Sequence, residues 1–295
     1  MPWFVNAQTT MTGTTSTGVR VNQDPWAYEK SIGAIFIFDA DRGIIYAGGT
    51  NVMCWGEQVG TTRATMPFVN AYISSNMPVA SIYGTNLLGQ PMKGVNFSGN
   101  ANVHLEIKSN PAISNALSGI LKPCTIFTVV NAQQIGTASS VSLSWASSTN
   151  SGASAFTVRP QRAANAQSGS WGADTNQSVL TMPDAASGIP TNQWFFNTAV
   201  KSGANIFSVG NLVRGTTTSI AGSGEQTLDT ISIGNRIRGT GGTYVEHANC
   251  YVNTVIVFTN AFANNTNTFV GGVTIPPVTN YHKMFNLKQP LFIVP

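Results

Sequence analysis

The stretch FIFDADRGIIYAGGTNVMCWGEQVG, residues 36–60, decides how this chain is read. A hydrophobic run ends in Asp39, Asp41 and Arg42, and the chain then returns to Trp55. Two acids, an arginine and a Trp–Gly pair suit the rim of a catalytic cleft. They equally suit the turn that closes the first strand of a β-sandwich. Aspartate favours turns because its carboxylate accepts hydrogen bonds from nearby backbone N–H groups, and Trp55 suits a core position. The turn reading is the stronger of the two.

From residue 31 onward the period is two. NVHLEIK (102–108) puts Val103, Leu105 and Ile107 on one face and His104, Glu106 and Lys108 on the other, which predicts a solvated His104. SVSLSW (140–145) turns Val141, Leu143 and Trp145 inward and three serines outward. CYVNTVIVF (250–258) alternates less cleanly, which predicts a strand covered on both faces. Clusters of Gly, Pro, Asn and Ser separate these runs at short intervals, as in a sandwich or barrel. The best helix signal is NPAISNALSGIL (110–121), with Pro111 near its start and Gly119 near its end. No internal repeat is present.

Composition narrows the classes. The chain has 295 residues, enough for one large sandwich with arms, and only 9% are charged against roughly 25% in an ordinary soluble domain. Thr, Asn, Ser, Gly and Ala fill the polar positions instead. Such a surface suits close contact with protein or sugar, because little charge is removed from water and few long side chains are frozen. The net charge is +4, but the fifteen Lys and Arg are scattered, without the basic stripe a nucleic-acid footprint needs. No apolar run reaches the ~18 residues of a membrane span, and no signal peptide is visible, so synthesis in a cytosol is expected. Cys54, Cys124 and Cys250 form no CxxC pattern and are odd in number, which predicts buried, unpaired thiols and no zinc.

The order of motifs resembles the laminin-G-like, concanavalin A-like jelly-roll superfamily. Phe38-Asp39-Ala40 and Val52-Met53-Cys54-Trp55 are similar to its opening strands. MPVASIYG (77–84), GVNFSGNANVHLEI (94–107), KPCTIFTVVNA (122–132), TLDTISIGNR (227–236) and CYVNTVIVFTNAF (250–262) resemble its later ones in order. The likeness covers residues 31–262 and rests on the succession of weak motifs. It departs at Asn253, where the family usually has an acidic residue. The resemblance implies an all-β, antiparallel jelly-roll β-sandwich over residues 31–265. An extended N-terminal arm (1–30) would lie along this domain or a neighbouring subunit, and a C-terminal tail (266–295) would complete the chain.

The superfamily includes glycoside hydrolases, which need two carboxylates about 5 Å apart for retention. The chain has eleven acids, and the strand pattern Glu-x-Asp-x-x-Glu is absent. Glu225 and Asp229 lie four apart, but Glu225 follows AGSG and reads as a solvated turn acid. His104, His247 and His282 lack a neighbouring nucleophile signature, while Glu246-His247 precedes the last strand, where a pocket rim would lie. Asp39-Ala40-Asp41 is the one acidic pair resembling a calcium loop, too few ligands for the ion. No catalysis, cofactor or metal is therefore expected. For sugar, the loop AQSGSWGADTNQS (166–178) offers Trp171 beside Asp174 and Asn176 as a stacking and hydrogen-bonding set.

The expected function is that of a structural bacteriophage virion protein, a capsid decoration or a tail or fibre component, made in the host cytoplasm and acting through protein–protein contacts. Its expected partners are other virion proteins and further copies of itself, with neither nucleic acid nor membrane. Low charge, Thr/Asn/Ser-rich strands and an apolar ending motivate this, together with family analogy. Trp3 and Phe4 in the arm, and Phe285, Leu291, Phe292 and Ile293 in the ending NYHKMFNLKQPLFIVP (280–295), are the expected assembly contacts. The alternative is a glycan-binding adhesin or receptor-binding module on the same fold, with a cell-surface glycan as partner.

Overall fold

Strands that alternate apolar and polar residues must bury one face, and here they do so against each other. The computed structural model describes residues 24–60, 63–65, 77–98, 103–107, 111, 113, 115, 118–119, 122–133, 143–146, 155–158, 167–171, 176–179, 190–221, 228–238, 243–245 and 248–293. Among these residues the main sheet has eighteen strands, joined by antiparallel ladders, that fold into two layers. One layer runs through Asn205–Gly210, Trp194–Ser202, Cys124–Ala132 and Asn249–Phe258, whose free edge is shared by Ala34–Asp39 and Pro91–Ser98. The other runs from Asn51–Gly56 through Arg63–Thr65, Leu105–Ile107, Thr230–Ile233 and Leu143–Ala146 to Ala155–Val158. The fold is thus the expected antiparallel β-sandwich.

Between the layers lies one core, with Phe38, Trp55, Phe97, Leu105, Ile126, Phe195, Ile231 and Val257 in it. Trp55 meets Phe38 edge-on, with ring centroids 5.7 Å apart, and its indole N–H donates to the carbonyl of Asp39 at 3.0 Å. The segment thus ends its strand in a turn and returns Trp55 to the core, as the turn reading expects. Asp39 Oδ1 accepts the Asp41 N–H at 2.9 Å, Arg42 N–H donates to the Asp39 carbonyl, and Arg42 Nε stands 3.6 Å from Asp39 Oδ2. Burial pushes the Asp39 carboxyl up to about 6, against the lowering pull of the Asp41 N–H and the Arg42 guanidinium.

A second core covers the outer face of the first layer. Along Cys124–Ala132 every residue is buried, because Ile126 and Val130 face the inter-layer core while Phe127 and Val129 face outward into this second one. Asn249–Phe258 behaves alike from Val252 onward, as its imperfect alternation foretold, while Asn249 and Tyr251 stay partly exposed. The outer cover is a helix, Val278–Lys288, whose Val278, Tyr281, His282 and Phe285 form one buried stripe at i, i+3, i+4 and i+7. Phe285 packs on Phe127, Phe196 and Trp26, with centroids at 4.7, 5.6 and 6.2 Å. His282 shares a 2.7 Å hydrogen bond between Nε2 and Thr198 Oγ1, and burial holds its imidazole down at about 3, so the ring is neutral. A short N-terminal helix, Ala27–Ser31, closes the same side: Glu29 accepts from Lys288 Nζ at 2.9 Å and from the Tyr281 hydroxyl at 3.4 Å.

These elements correct several expectations. Residues 24–30 of the supposed arm are a turn and helix with Trp26 and Glu29 buried, not an extended strand. The ending is largely folded onto the chain's own sheet. Phe285 and Leu291 are buried, Phe292 is half-buried against Phe196, and Ile293 alone of the four expected contacts is exposed, at 85%. Asn286 pins the ending by accepting from the N–H groups of Leu291 and Phe292 and donating to the Phe292 carbonyl. Trp3 and Phe4 lie outside the described residues. His104 is not solvated: it is 0% exposed, 4.0 Å from a buried Glu106, because Leu105–Ile107 is paired on both edges and covered on both faces. The internal helix reading fares better, since Pro111, Ile113 and Asn115 are helical and Gly119 follows at φ +94°.

Two motifs of the resemblance acquire physical reasons. In Ile233-Gly234-Asn235, a Cβ on Gly234 would lie 2.2 Å from the Phe97 ring, and φ is +102°, so only glycine fits. Asn253 is the bulge residue where its strand exchanges Pro91–Ser98 for Ala34–Asp39 as neighbour. Its amide donates to the Lys93 carbonyl at 2.7 Å and accepts from Gln289 at 3.0 Å and from the Thr254 hydroxyl. A carboxylate there would have no hydrogen to give Lys93.

Candidate functional site

The bulge at Asn253 is also a border. Beyond it, Ile256 and Phe258 turn outward beneath the C-terminal helix. Before it, the same outward face carries Asn249 and Tyr251, while Cys250 and Val252 point into the inter-layer core. Cross-strand register extends this face into one row, Asn96–Tyr251–Asn131–Trp194, over four adjacent strands. The row is amide and aromatic throughout.

Hydrogen bonds and packing fix it. Trp194 donates from Nε1 to the Tyr83 carbonyl at 2.7 Å. Its ring lies on Gly94, where a Cβ would stand 2.7 Å from the indole, so the glycine makes room for the tryptophan. Tyr83 and Tyr251 stack in parallel with centroids 4.2 Å apart and planes at 15°, and Trp194 meets Tyr251 edge-on at 6.5 Å. Gln133 Nε2 donates to Asn131 Oδ1 at 2.7 Å, and the Tyr83 hydroxyl donates to Asn192 Oδ1 at 3.4 Å. Asn192 holds φ +56°, a left-handed conformation asparagine tolerates, and its N–H donates to the Ala132 carbonyl. Both tyrosines and Gln133 are partly exposed and Asn192 is exposed, while Trp194 and Asn131 are buried beneath them. None of these side chains is charged. Lys93, beside Gly94 in sequence, places its ammonium over the Tyr46 ring instead, 5.9 Å from the centroid.

The loop chosen from sequence is a hairpin. Trp171 and Asn176 are register partners at the ends of Gln167–Trp171 and Asn176–Val179, and Asp174 lies outside the described residues. Glu225, Glu246 and His247 also lie outside them. Asp229 accepts from the Thr230 hydroxyl. Other carboxylates serve the fold: Asp24 takes Lys30 at 2.8 Å, and Glu57 takes the N–H groups of Val59 and Gly60. Among the described residues no three His, Cys, Asp or Glu gather as a metal site, and no helix is long and apolar enough to cross a membrane. The three cysteines are buried, with burial pushing Cys124 up to about 11 and Cys250 up to about 12. Sequence reasoning passed over the amide–aromatic face because its members come from five segments. The signal was there in VVNAQQ (129–134), NCYVN (249–253) and TNQW (191–194), where outward positions turn from apolar to amide or aromatic.

No family model and no curated protein matches the chain. Among solved structures it is similar to Trypanosoma rangeli sialidase, at 10% identity and TM-score 0.44, covering 78% of this chain and 31% of that one. It is similar to the receptor-binding domain of botulinum neurotoxin C/D mosaic serotype, at 10% identity and TM-score 0.45, over 85% of this chain and 51% of that one. The serotype D ligand-binding domain in complex with N-acetylneuraminic acid gives 12% identity and TM-score 0.45, over 86% and 52%. The chain thus spans under a third of the sialidase and about half of each toxin structure.

Proposed function

We propose that the chain is a non-catalytic glycan-binding module, and that the face around Tyr83 and Tyr251 is its binding surface. The observation that carries this is a parallel tyrosine stack, half-buried and rigidly backed by Trp194, with amide groups on either side. Aromatic rings offer a sugar an apolar platform for its C–H groups. Amides carry both donors and acceptors, as sugar hydroxyls do, so each can meet the other whichever way a hydroxyl turns. Held between strands, the platform loses little entropy on binding. The occupation of Asp24, Glu29, Asp39 and Glu57 by cations or backbone N–H groups supports the non-catalytic part.

Glycan-array screening followed by calorimetry on the best ligand tests the reading, with Tyr251→Ala and Gln133→Ala alongside and circular dichroism to check their folds. Loss of at least about ten-fold in affinity in both folded variants, roughly 1.4 kcal/mol each, is expected. Wild-type affinity in both would refute it. A second reading, as a virion component in contact with other structural proteins, draws support from the exposed Leu87 and Leu88, on a turn whose Leu87 N–H bonds the Pro290 carbonyl, and from the exposed Ile293. Light scattering of a Leu87→Glu/Leu88→Glu variant tests it: an unchanged oligomeric state would end it.

A further inference from the structure

We infer that this face selects uncharged saccharides over acidic ones. The inference rests on the glycan-binding reading and names its substrate class. The groups facing outward, Tyr83, Tyr251, Gln133, Asn192 and Asn249, carry no formal charge. The described cations that have defined partners are engaged elsewhere. Lys93 stands over Tyr46, Lys288 is bound to Glu29, Lys201 donates to the Gly119 carbonyl and Arg214 to Thr217.

A sugar carboxylate that docks here gives up water and receives only neutral amide donors in return. The strong compensation for a carboxylate is a charge-assisted, preferably bidentate, bond to a guanidinium or ammonium, and the described residues of the face supply none. The amides are also partly committed: Gln133 Nε2 serves Asn131, and Asn192 Oδ1 takes the Tyr83 hydroxyl. Asn192 keeps its amide N–H groups and Gln133 its carbonyl oxygen, a mixed set that suits hydroxyls and suits an acceptor-only carboxylate poorly. The chain's net charge of +4 pulls anions only over long range, and salt near 0.15 M screens that pull beyond about 8 Å.

The test uses the full chain at 0.15 M salt and matched glycan pairs that differ by one acidic sugar. N-acetyllactosamine is set against its 3′-sialylated form, and xylotriose against its glucuronic-acid-substituted form. The neutral member of the bound pair is expected to bind at least ten-fold tighter. Gln133→Lys places an ammonium at the edge of the face and is expected to move the acidic-to-neutral affinity ratio at least ten-fold toward the acid. Equal or tighter binding of the acidic member, lost in Tyr251→Ala, overturns the selectivity while leaving glycan binding at this face standing. A Gln133→Lys variant that binds the neutral sugar but shows an unchanged ratio also overturns it. Absence of binding to every member of both pairs and across the array sinks the glycan reading and this inference with it.

Discussion

Replacing Phe285 with alanine tests whether the C-terminal helix belongs to the fold. The side chain is 2% exposed and packs against Phe127 and Phe196, on two neighbouring strands inside the first layer, and against Trp26 at the start of the N-terminal helix. Truncating a buried phenylalanine costs about 3–5 kcal/mol, from lost transfer energy and from the cavity left behind. The backing strands are also core strands of the sandwich, so they have little freedom to collapse into the gap, which places the cost toward the upper end of that range. With a urea slope of roughly 3 kcal/mol per molar, the midpoint would fall by about 1–1.7 M. Urea unfolding followed by tryptophan fluorescence reads this directly. Leu287, two residues on and 63% exposed, is the control, and its alanine variant should stay within about 0.5 kcal/mol of wild type. A Phe285→Ala cost below about 1 kcal/mol, or a Leu287→Ala cost equal to it, would refute an integral helix and restore a detachable tail.

The turn at Asp39–Arg42 gives a pH signature. With a carboxyl at about 6 in the folded chain against 3.8 unfolded, the folded state binds the Asp39 proton more tightly, so stability is greatest below pH 3.8 and falls as pH rises through 6. Asparagine can accept the Asp41 N–H without a charge, so Asp39→Asn should exceed wild type in stability at pH 7.5, by no more than about 3 kcal/mol, and the gap should close by pH 4; a gap that does not change with pH contradicts the assignment. The cysteines should be silent to a thiol-specific chromogenic reagent in the native state and should all react in 6 M guanidinium, because burial raises Cys124 and Cys250 and hides Cys54. Rapid native labelling of any of them would place that thiol outside the core.

The sequence alone determined the class of fold. Period-two runs such as SVSLSW need one buried face, and Gly- and Asn-rich breaks between them leave a sandwich as the way to bury it. The turn after Asp39 was legible too, since Asp39 caps it using atoms two residues away. The C-terminal helix was less legible. Its i, i+3, i+4, i+7 stripe is present in VTNYHKMF, but Thr, Asn, Tyr and His are weak helix formers, and the helix is held by the sheet beneath it. His104 misled for a related reason: alternation shows that two faces differ, and cannot show that both are covered. The candidate site was decided by tertiary structure alone. Tyr83, Gln133, Asn192 and Tyr251 are spread over 169 positions of sequence (83 to 251), and what unites them is the register row Tyr251–Asn131–Trp194, around which the others stack or hydrogen-bond. Register is fixed by long-range pairing and by one bulge at Asn253, and a shift of a single residue would turn that whole face into the core.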